Sequence, residues 1–453
     1  MFRRILIANR GEIAARIART CRRLGIVPVF AHSEADAGAA WLEDAEATVC
    51  IGPAAAEHSY LDADRLIEAA HQRECQALHP GYGFLAENSI FAARLAASGL
   101  TFVGPPPSIL RTMGDKSTAK RTMAAAGLPT VPGSDGLVRR PEEALAAANA
   151  FGYPVLLKAT AGGGGKGMRR CDRPEDLDAA FGEASSEAAK AFGEGGLYLE
   201  KFLEGGRHVE FQILGDAYGR VVCLGERDCS IQRKHQKLIE ESPAPGLEPE
   251  TLRAMGDRVA AAAATVGYLG AGTVEFLRTA EGELYFMELN ARLQVEHPVT
   301  EMRYGDLDLV EAQLRVACGE ALPESWPGSS PAGHAIEFRI NAEDPDDGFR
   351  PSPGVVTAMH VPDRDDVVEV RWDSGLREGS RVPPHYDSMI GKLIVRGPDR
   401  AGALAGAARV LADVRIDGVA TTVGLHRRIL DHDPFREGRM DVRSLDRWLE
   451  AGL

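Results

Sequence analysis

Between Gly272 and Thr300 the chain reads GTVEFLRTAEGELYFMELNARLQVEHPVT, and no other stretch limits its possible folds so strongly. Two apolar runs rich in Val, Phe, Tyr and Leu flank Thr279-Ala280-Glu281-Gly282-Glu283, the pattern of a β-hairpin. Side chains alternate along a strand, so Glu288 and Asn290 point the same way. With Glu281 and Gly282 as a two-residue loop, pairing outward from Ala280 and Glu283 sets Glu275 opposite Glu288. Two carboxylates and an amide oxygen on one rigid face suit Mg²⁺, which completes its shell with nucleotide phosphates and water. Arg292, Gln294 and Glu296 follow at a spacing of two, so a continuing extended chain would carry a cation, an amide and an acid past the metal. A single carboxylate on a strand is more often a solvated one. Several convergent polar residues bordered by Phe286, Met287 and Leu289 favour a site for metal-bound ATP and a phosphoryl acceptor.

At 453 residues the chain is too long for one core and implies about two to four domains. A net charge of −14 lacks the basic footprint of a nucleic-acid partner. The N-terminal run Met1 to Ala8 turns polar too soon for a signal peptide and reads as a buried strand. No stretch approaches the roughly 18 to 20 apolar residues of a membrane span, and Val259 to Val266 reads as a short core helix. Seven cysteines without a C-x-x-C pair suit reduced, mostly buried thiols, not zinc or disulfides. A cytoplasmic protein is expected, with no membrane and no nucleic acid among its partners.

A strand at residues 4 to 8, a helix at 11 to 24 and a strand at 26 to 31 make a βαβ opening. Its turn has one glycine where the G-x-G-x-x-G fingerprint needs three, which excludes NAD bound in that way. A helix near 62 to 73, a strand at Ala77-Leu78, the turn His79-Pro80-Gly81-Tyr82-Gly83-Phe84 and a helix from about 88 to 98 complete a first domain ending near Pro105. His79 and Tyr82 stand at the sheet edge where ligands collect, or else form a structural turn with an aromatic plug. Asp115 is a plausible helix cap; Lys116 in the first turn opposes the helix dipole, and is either held by an anion or simple surface decoration. A helix at 141 to 151 and a strand at 153 to 158 lead to Ala161-Gly162-Gly163-Gly164-Gly165-Lys166-Gly167-Met168. Five glycines in six positions let backbone N–H groups close over phosphates, or make a plain linker. It is no P-loop, since Gly167 follows Lys166. The strand 197 to 203 offers an edge for adenine and ribose, and 207 to 214 with 219 to 224 form a hairpin carrying His208, which alone reads as structural. Residues 226 to 237 are charged without apolar period and read as a loop or exposed face.

The segments HPGYGFLAEN, MGDKSTAK, KATAGGGGKGMR, GERDCSIQRKHQKLIEE, GTVEF, MELNARLQVEHPVTEM, EFRINAEDP, PSPG and VPPHYDSMIGKL occur along essentially the whole chain in the order expected of biotin carboxylase. The resemblance is to the biotin carboxylase subunit of acetyl-CoA carboxylase and related biotin-dependent carboxylases. It implies an α/β and α+β chain with an ATP-grasp fold: a Rossmann-like N-terminal domain at 1–113, an ATP-grasp domain at 114–325 with a mobile lid at about 131–203, and a C-terminal biotin carboxylase domain at 332–447. By matching motif, Lys116, Lys158, Gly164, Gly165, Met168, Glu200, Lys201, Leu203, His208, Gln232, His235 and Leu277 are expected to contact ATP. Glu275 and Glu288 are expected to bind a first Mg²⁺ (or Mn²⁺), with Glu288 and Asn290 serving a second. Lys237, Arg292, Gln294, Val295, Glu296 and Arg339 would form the bicarbonate and biotin site, with Tyr82 beside biotin. Arg292, Glu296, Lys237 and Arg339 are the expected catalytic residues. Departures are Ala291 where the family often has Thr or Pro, Lys166 where Arg is common, and His385 where Tyr is usual; Ala291 should affect packing alone.

The resemblance implies ATP- and bicarbonate-dependent carboxylation of biotin through carboxyphosphate, Glu296 acting as base and Arg292 stabilising an enolate-like biotin oxygen. No Met-Lys-Met attachment motif occurs, so the biotin is expected on a carrier protein or a further segment, with a carboxyltransferase subunit as second partner. A homodimer is expected, as is usual for chains of this type. Two rivals stand beside this reading: another ATP-grasp ligase acting on a carboxylate, and a non-catalytic ATP-binding subunit. The final acceptor lies with the transferase.

Overall fold

The computed structural model describes residues 1–43, 45–134, 136–159, 168–192, 197–326, 328 and 330–453. Five parallel strands open the chain: β1 (Arg4–Ile7), β2 (Val27–His32), β3 (Ala47–Cys50), β4 (Ala77–His79) and β5 (Thr101–Phe102), in the order β3-β2-β1-β4-β5. The Ile5-Leu6-Ile7 run is buried on both faces, as a central parallel strand requires. The helix Gly11–Arg23 makes the first crossover, so the βαβ opening stands within a residue or two of the expected limits.

Next, β6 (Val155–Ala159), β7 (Met168–Cys171) and β8 (Leu197–Lys201) form a small antiparallel sheet in the order β7-β6-β8. Helices Pro141–Phe151 and Pro174–Phe192 belong to it, and Ala144, Val155, Leu157, Leu177 and Leu199 close an apolar cluster of its own.

The third sheet spans the middle and end of the chain. Its strands are β9 (Arg207–Gly215), β10 (Val221–Arg233), β11 (Gln236–Ser242), β12 (Gly270–Arg278), β13 (Leu284–Asn290), β14 (His334–Asn341), β15 (Glu369–Ser374) and β16 (Met389–Gly397). They run in the order β13-β12-β9-β10-β11-β14-β16-β15, antiparallel throughout. The β11–β14 ladder joins two stretches separated by about a hundred residues and brings Arg339 to the sheet that carries Glu275.

Three expectations need correction. Residues 226 to 237 are not a loop: they form the end of β10, a tight turn at Lys234 and His235, both at positive φ, and the start of β11. Arg227, Asp228 and Ser230 are buried there because neighbouring elements supply partners for their polar groups, so no apolar period was needed. The alanine run at 259 to 266 is only the second half of a helix over Pro249–Thr265, whose first half is amphipathic and begins with a proline at its first position. Third, β13 ends at Asn290, so Arg292, Gln294 and Glu296 do not continue a strand; Glu296 caps the helix His297–Tyr304 with φ −81° and ψ 12°.

The central hairpin closes with an unexpected register. Arg278 pairs with Leu284, which lengthens the loop by a residue, and a bulge at Met287 restores the count, so Glu275 does face Glu288. Asn290 pairs with Thr273.

Candidate active site

One cavity of about 1030 Å³ lies between the three sheets. Every residue expected to contact ATP, metal, bicarbonate or biotin lines it, apart from Gly164 and Gly165, which lie outside the described residues together with Lys166.

Its charged floor centres on Lys237 of β11. The ammonium donates to Glu210 Oε2 at 2.6 Å, Glu296 Oε1 at 2.7 Å, Glu275 Oε1 at 2.9 Å and Gln294 Oε1 at 3.2 Å. Burial works against its charge, but Glu210, Glu275 and Glu296 outweigh burial and lift Lys237 well above its ordinary range. Glu296 is likewise disfavoured by burial, yet Lys237, Arg339 and Arg227 hold it well below the usual carboxylate value. Arg339 Nη2 donates to Glu296 Oε2 at 3.0 Å. Beneath them Arg227, wholly buried, donates to Glu210 at 2.6 Å, Gln212 at 3.0 Å and Thr300 at 2.9 Å.

Glu275 and Glu288 leave opposed backbone positions toward different cations. Glu275 Oε1 also accepts from Gln294 at 2.9 Å, its Oε2 is 3.3 Å from His208 Nε2, and Glu288 lies 3.2 Å from Lys116. Burial lowers the pKa of His208, but the Glu275 carboxylate more than compensates and raises it above its ordinary value. Asn290 Oδ1 accepts from Arg292 at 3.1 Å, while its buried Nδ2 has no partner among the described residues. Two carboxylates and an amide oxygen, each facing a positive group, fit a hard divalent cation and offer it no soft ligand.

Toward the small sheet, burial disfavours the charge of Glu200, but Lys158 and Lys120 keep its pKa low; Lys120 is at 2.8 Å, and Lys158 donates to it too. Lys201 instead donates to the Tyr153 carbonyl at 2.7 Å. Met168, Leu203 and Leu277 give apolar wall, and Gln232 and His235 lie at the β10–β11 turn.

Arg292 takes its partners outside the Lys237 cluster. Its Nε donates to Glu87 at 2.9 Å, and the other Glu87 oxygen accepts from the Ala291 N–H at 2.9 Å. Tyr82 donates its hydroxyl to Glu12. The turn before it needs Gly81, at φ +64°, because a Cβ there would come within 2.9 Å of the Asn9 amide that ties the turn to β1. His79 resolves to the structural alternative: burial pushes it down to about 3, and its Nδ1 accepts from Gly81 N–H. Val295 accepts at its carbonyl from the buried Lys392 at 2.7 Å.

Lys120, Glu210, Glu87, Glu12 and Lys392 are cavity or supporting residues that sequence reasoning did not single out. Two carried a signal: Lys120 stands one helical turn after Lys116, and Glu210 shares a strand face with His208. The other three reach the site from distant segments. All seven cysteines are free, with Cys21, Cys75, Cys171 and Cys229 buried.

Family models for the biotin carboxylase N-terminal domain match residues 1–110, for the carbamoyl-phosphate synthase L chain ATP-binding domain 115–325, and for the biotin carboxylase C-terminal domain 337–447. The chain belongs to the biotin carboxylase family. It is 51% identical to a biotin carboxylase of Nostoc sp., covering 97% of this chain and 98% of that one, and 48% identical to biotin carboxylase 1 of Bacillus subtilis, covering 98% of each. Among solved structures, a biotin carboxylase–β-γ-ATP complex from Campylobacter jejuni matches at TM-score 0.92 with 44% identity over 99% of both chains. The biotin carboxylase domain dimer of Hydrogenobacter thermophilus 2-oxoglutarate carboxylase, with MgADP, ADP and bicarbonate, matches at 0.91 with 45% identity over 99% of this chain and 98% of that one. The mixed α/β architecture with an ATP-grasp domain is the fold the sequence led us to expect.

Proposed function

We propose that this chain is the ligase that carboxylates biotin with ATP and bicarbonate, the first half-reaction of a biotin-dependent carboxylase. The observation that carries this reading is the Glu296 carboxylate held between Lys237 and Arg339, in the same cavity as the Glu275–Glu288 hairpin. Bicarbonate, a small oxyanion, is received by Lys237 and Arg339. Its arrival draws both cations off Glu296, whose basicity then rises toward the ordinary value, and Glu296 takes the bicarbonate proton as the oxygen attacks the γ-phosphorus and ADP leaves. Cleavage of the C–O bond in carboxyphosphate leaves CO₂ and phosphate. The phosphate accepts the ureido N–H proton of biotin, the nitrogen attacks CO₂, and Arg292, aimed by Glu87 and Asn290, stabilises the oxygen charge that develops.

Glu275, Glu288 and Asn290 would hold magnesium or manganese, two ions in the fullest reading, which offset charge on the nucleotide phosphates when bound. Lys116 and Lys158 meet phosphate oxygens, and the end of β8 through Leu203, with Glu200 and Lys201, grips adenine and ribose beside His208, Gln232 and His235. Met168 and Leu277 enclose the base. Tyr82, Gln294 and Val295 line the biotin end.

We further infer domains at 1–113, 114–325 and 332–447, the small sheet with its own core serving as the lid at about 131–203; the matched family ranges support these limits. A carrier protein bearing the biotin and a carboxyltransferase subunit are the inferred partners, as in acetyl-CoA carboxylase of fatty acid biosynthesis. A homodimer is inferred too, in line with the dimeric Hydrogenobacter domain. Free cysteines suit a reducing, cytoplasmic setting. Among the described residues no helix is long and apolar enough to cross a membrane. The test is ATP hydrolysis with bicarbonate and free biotin each added or withheld. Hydrolysis that needs bicarbonate and rises with biotin is expected; hydrolysis indifferent to both would overturn the reading.

A further inference from the structure

Behind Arg339 lie two carboxyl groups that the reaction just derived does not use. Glu240 on β11 and Glu337 on β14 are directly paired across the two strands, and both are wholly buried. Directly opposed residues have Cβ atoms about 4.5–5.5 Å apart, so the two carboxyls share one small space. Glu240 Oε1 accepts from Arg339 Nε at 2.6 Å. Its Oε2 and both oxygens of Glu337 have no hydrogen-bond partner among the described residues.

The surroundings offer little relief. On its other side Glu337 faces Ile394 of β16, and the helix His297–Tyr304 adds Val299 and Met302 to a cluster with Ala335 and Ile394. The charged groups that act on the pair are Arg339 on β14, Lys237 on β11, Lys392 on β16 and Glu296 at the start of the helix. Lys392 is engaged elsewhere, by the Val295 carbonyl at 2.7 Å and by Glu12 at 3.2 Å. Glu296 adds a second carboxylate to the same guanidinium. Two ionised carboxylates cannot face each other in so dry a place, whereas one proton between them satisfies two of the three orphan oxygens and leaves a single negative charge.

We propose that Glu240 and Glu337 hold one proton between them, and that this acid–carboxylate pair is the positioning device that keeps Arg339 aimed at Glu296 and bicarbonate. The role assigned to Arg339 rests on the function proposed above; the shared proton does not. Burial raises both groups, Glu240 up to about 7 against the pull of Arg339, and Glu337 well above its ordinary range against that of Lys392. With the proton in place, Arg339 answers one charge at Glu240 and keeps a donor for the substrate. Loss of the proton at alkaline pH sets a second charge behind the guanidinium and draws it back from bicarbonate.

The folded pair retains a proton that glutamates in the unfolded chain, with an ordinary value of 4.5, have released. The folded state therefore binds more protons, and its stability falls as pH rises from about 4.5 through about 7 and beyond. Glu337→Gln supplies an amide that cannot ionise. Its melting temperature relative to wild type should climb steadily between about pH 5 and about pH 9, and a flat difference would overturn the shared proton. Infrared spectroscopy of the wild type gives a reading that needs no variant: a carboxylic-acid carbonyl band from a buried group should persist at neutral pH, and its absence there would overturn the proposal. In kinetics, wild-type kcat/KM for bicarbonate should fall on the alkaline side chiefly through KM, with that limb lost in Glu337→Gln. A limb equally present in the variant would overturn the positioning role. If the band and the melting trend appear but wild type shows no bicarbonate-dependent hydrolysis, the functional reading fails and takes the role of Arg339 with it, while the shared proton stands.

Discussion

The interior of the large sheet and its β13 edge treat charge in opposite ways. In β10–β11 and its neighbour β9, Arg227 and Glu210 are wholly buried and Lys237 nearly so, each bound to several partners at once. In β12–β13, Glu275 of the inner strand belongs to that buried set, whereas Glu288 on the edge strand β13 is about a third exposed, and its partner Lys116 is mostly exposed. Interior charges are therefore fixed in mutual debt, so that removing one strands the rest. Edge charges exchange partners with water and are available to an incoming metal or nucleotide at small loss. The interior set holds chemistry in place, and the edge set receives the ligand.

Substitutions in the two sets should have different consequences. Lys237→Met should reduce biotin carboxylation by about 10³-fold or more and lower stability by about 3–5 kcal/mol, because Glu210, Glu275 and Glu296 lose their shared cation; kinetics and thermal melting measure both, and an unchanged melting temperature would erase the distinction. Arg292→Ala should lower carboxylation by about 10²- to 10³-fold while leaving ATP binding largely intact, as read by nucleotide titration. Equal loss of both would make Arg292 structural.

The buried class extends to Glu241, held by His334 at 2.7 Å and Arg400 at 2.7 Å. Burial opposes its charge, but these partners bring it down to about 2 from an ordinary 4.5. A lowered carboxylate stabilises the fold above the unfolded value and loses that contribution as pH falls. Glu241→Gln should thus lower stability at neutral pH by about 3 kcal/mol and flatten the acid melting curve between about pH 4.5 and about pH 2. Lys116→Ala, at the edge, should change stability by less than about 1 kcal/mol while weakening ATP binding about tenfold, measured by calorimetric titration.

This difference also decides what could be read from sequence. The edge hairpin alternates apolar and polar residues, so its faces and the Glu275–Glu288 pair were legible; the extra loop residue and the bulge at Met287 cancel, and neither leaves a mark in the pattern. The interior hairpin reads as a loop or exposed face in sequence because Glu226 to Lys237 is dense in charge, and the partners that make this tolerable lie on β9 and the helix His297–Tyr304. The extended path expected after Asn290 failed for a similar reason: Gln294 and Glu296 reach Lys237 through a turn into a helix, while Arg292 turns to Glu87, some 200 residues away in sequence. Motif resemblance placed the cavity residues where spacing alone could not, but it left Lys120, Glu210 and the Glu240–Glu337 pair unmarked.

Carboxylation begins with bicarbonate oxygen attacking the terminal phosphorus of ATP over the proposed Lys237–Glu296–Arg339 floor. Turnover of oxygen-18 bicarbonate with ATP and biotin, followed by mass analysis of the phosphate, tests that step directly. One labelled oxygen carried into each phosphate is the predicted result, and phosphate free of label would contradict it.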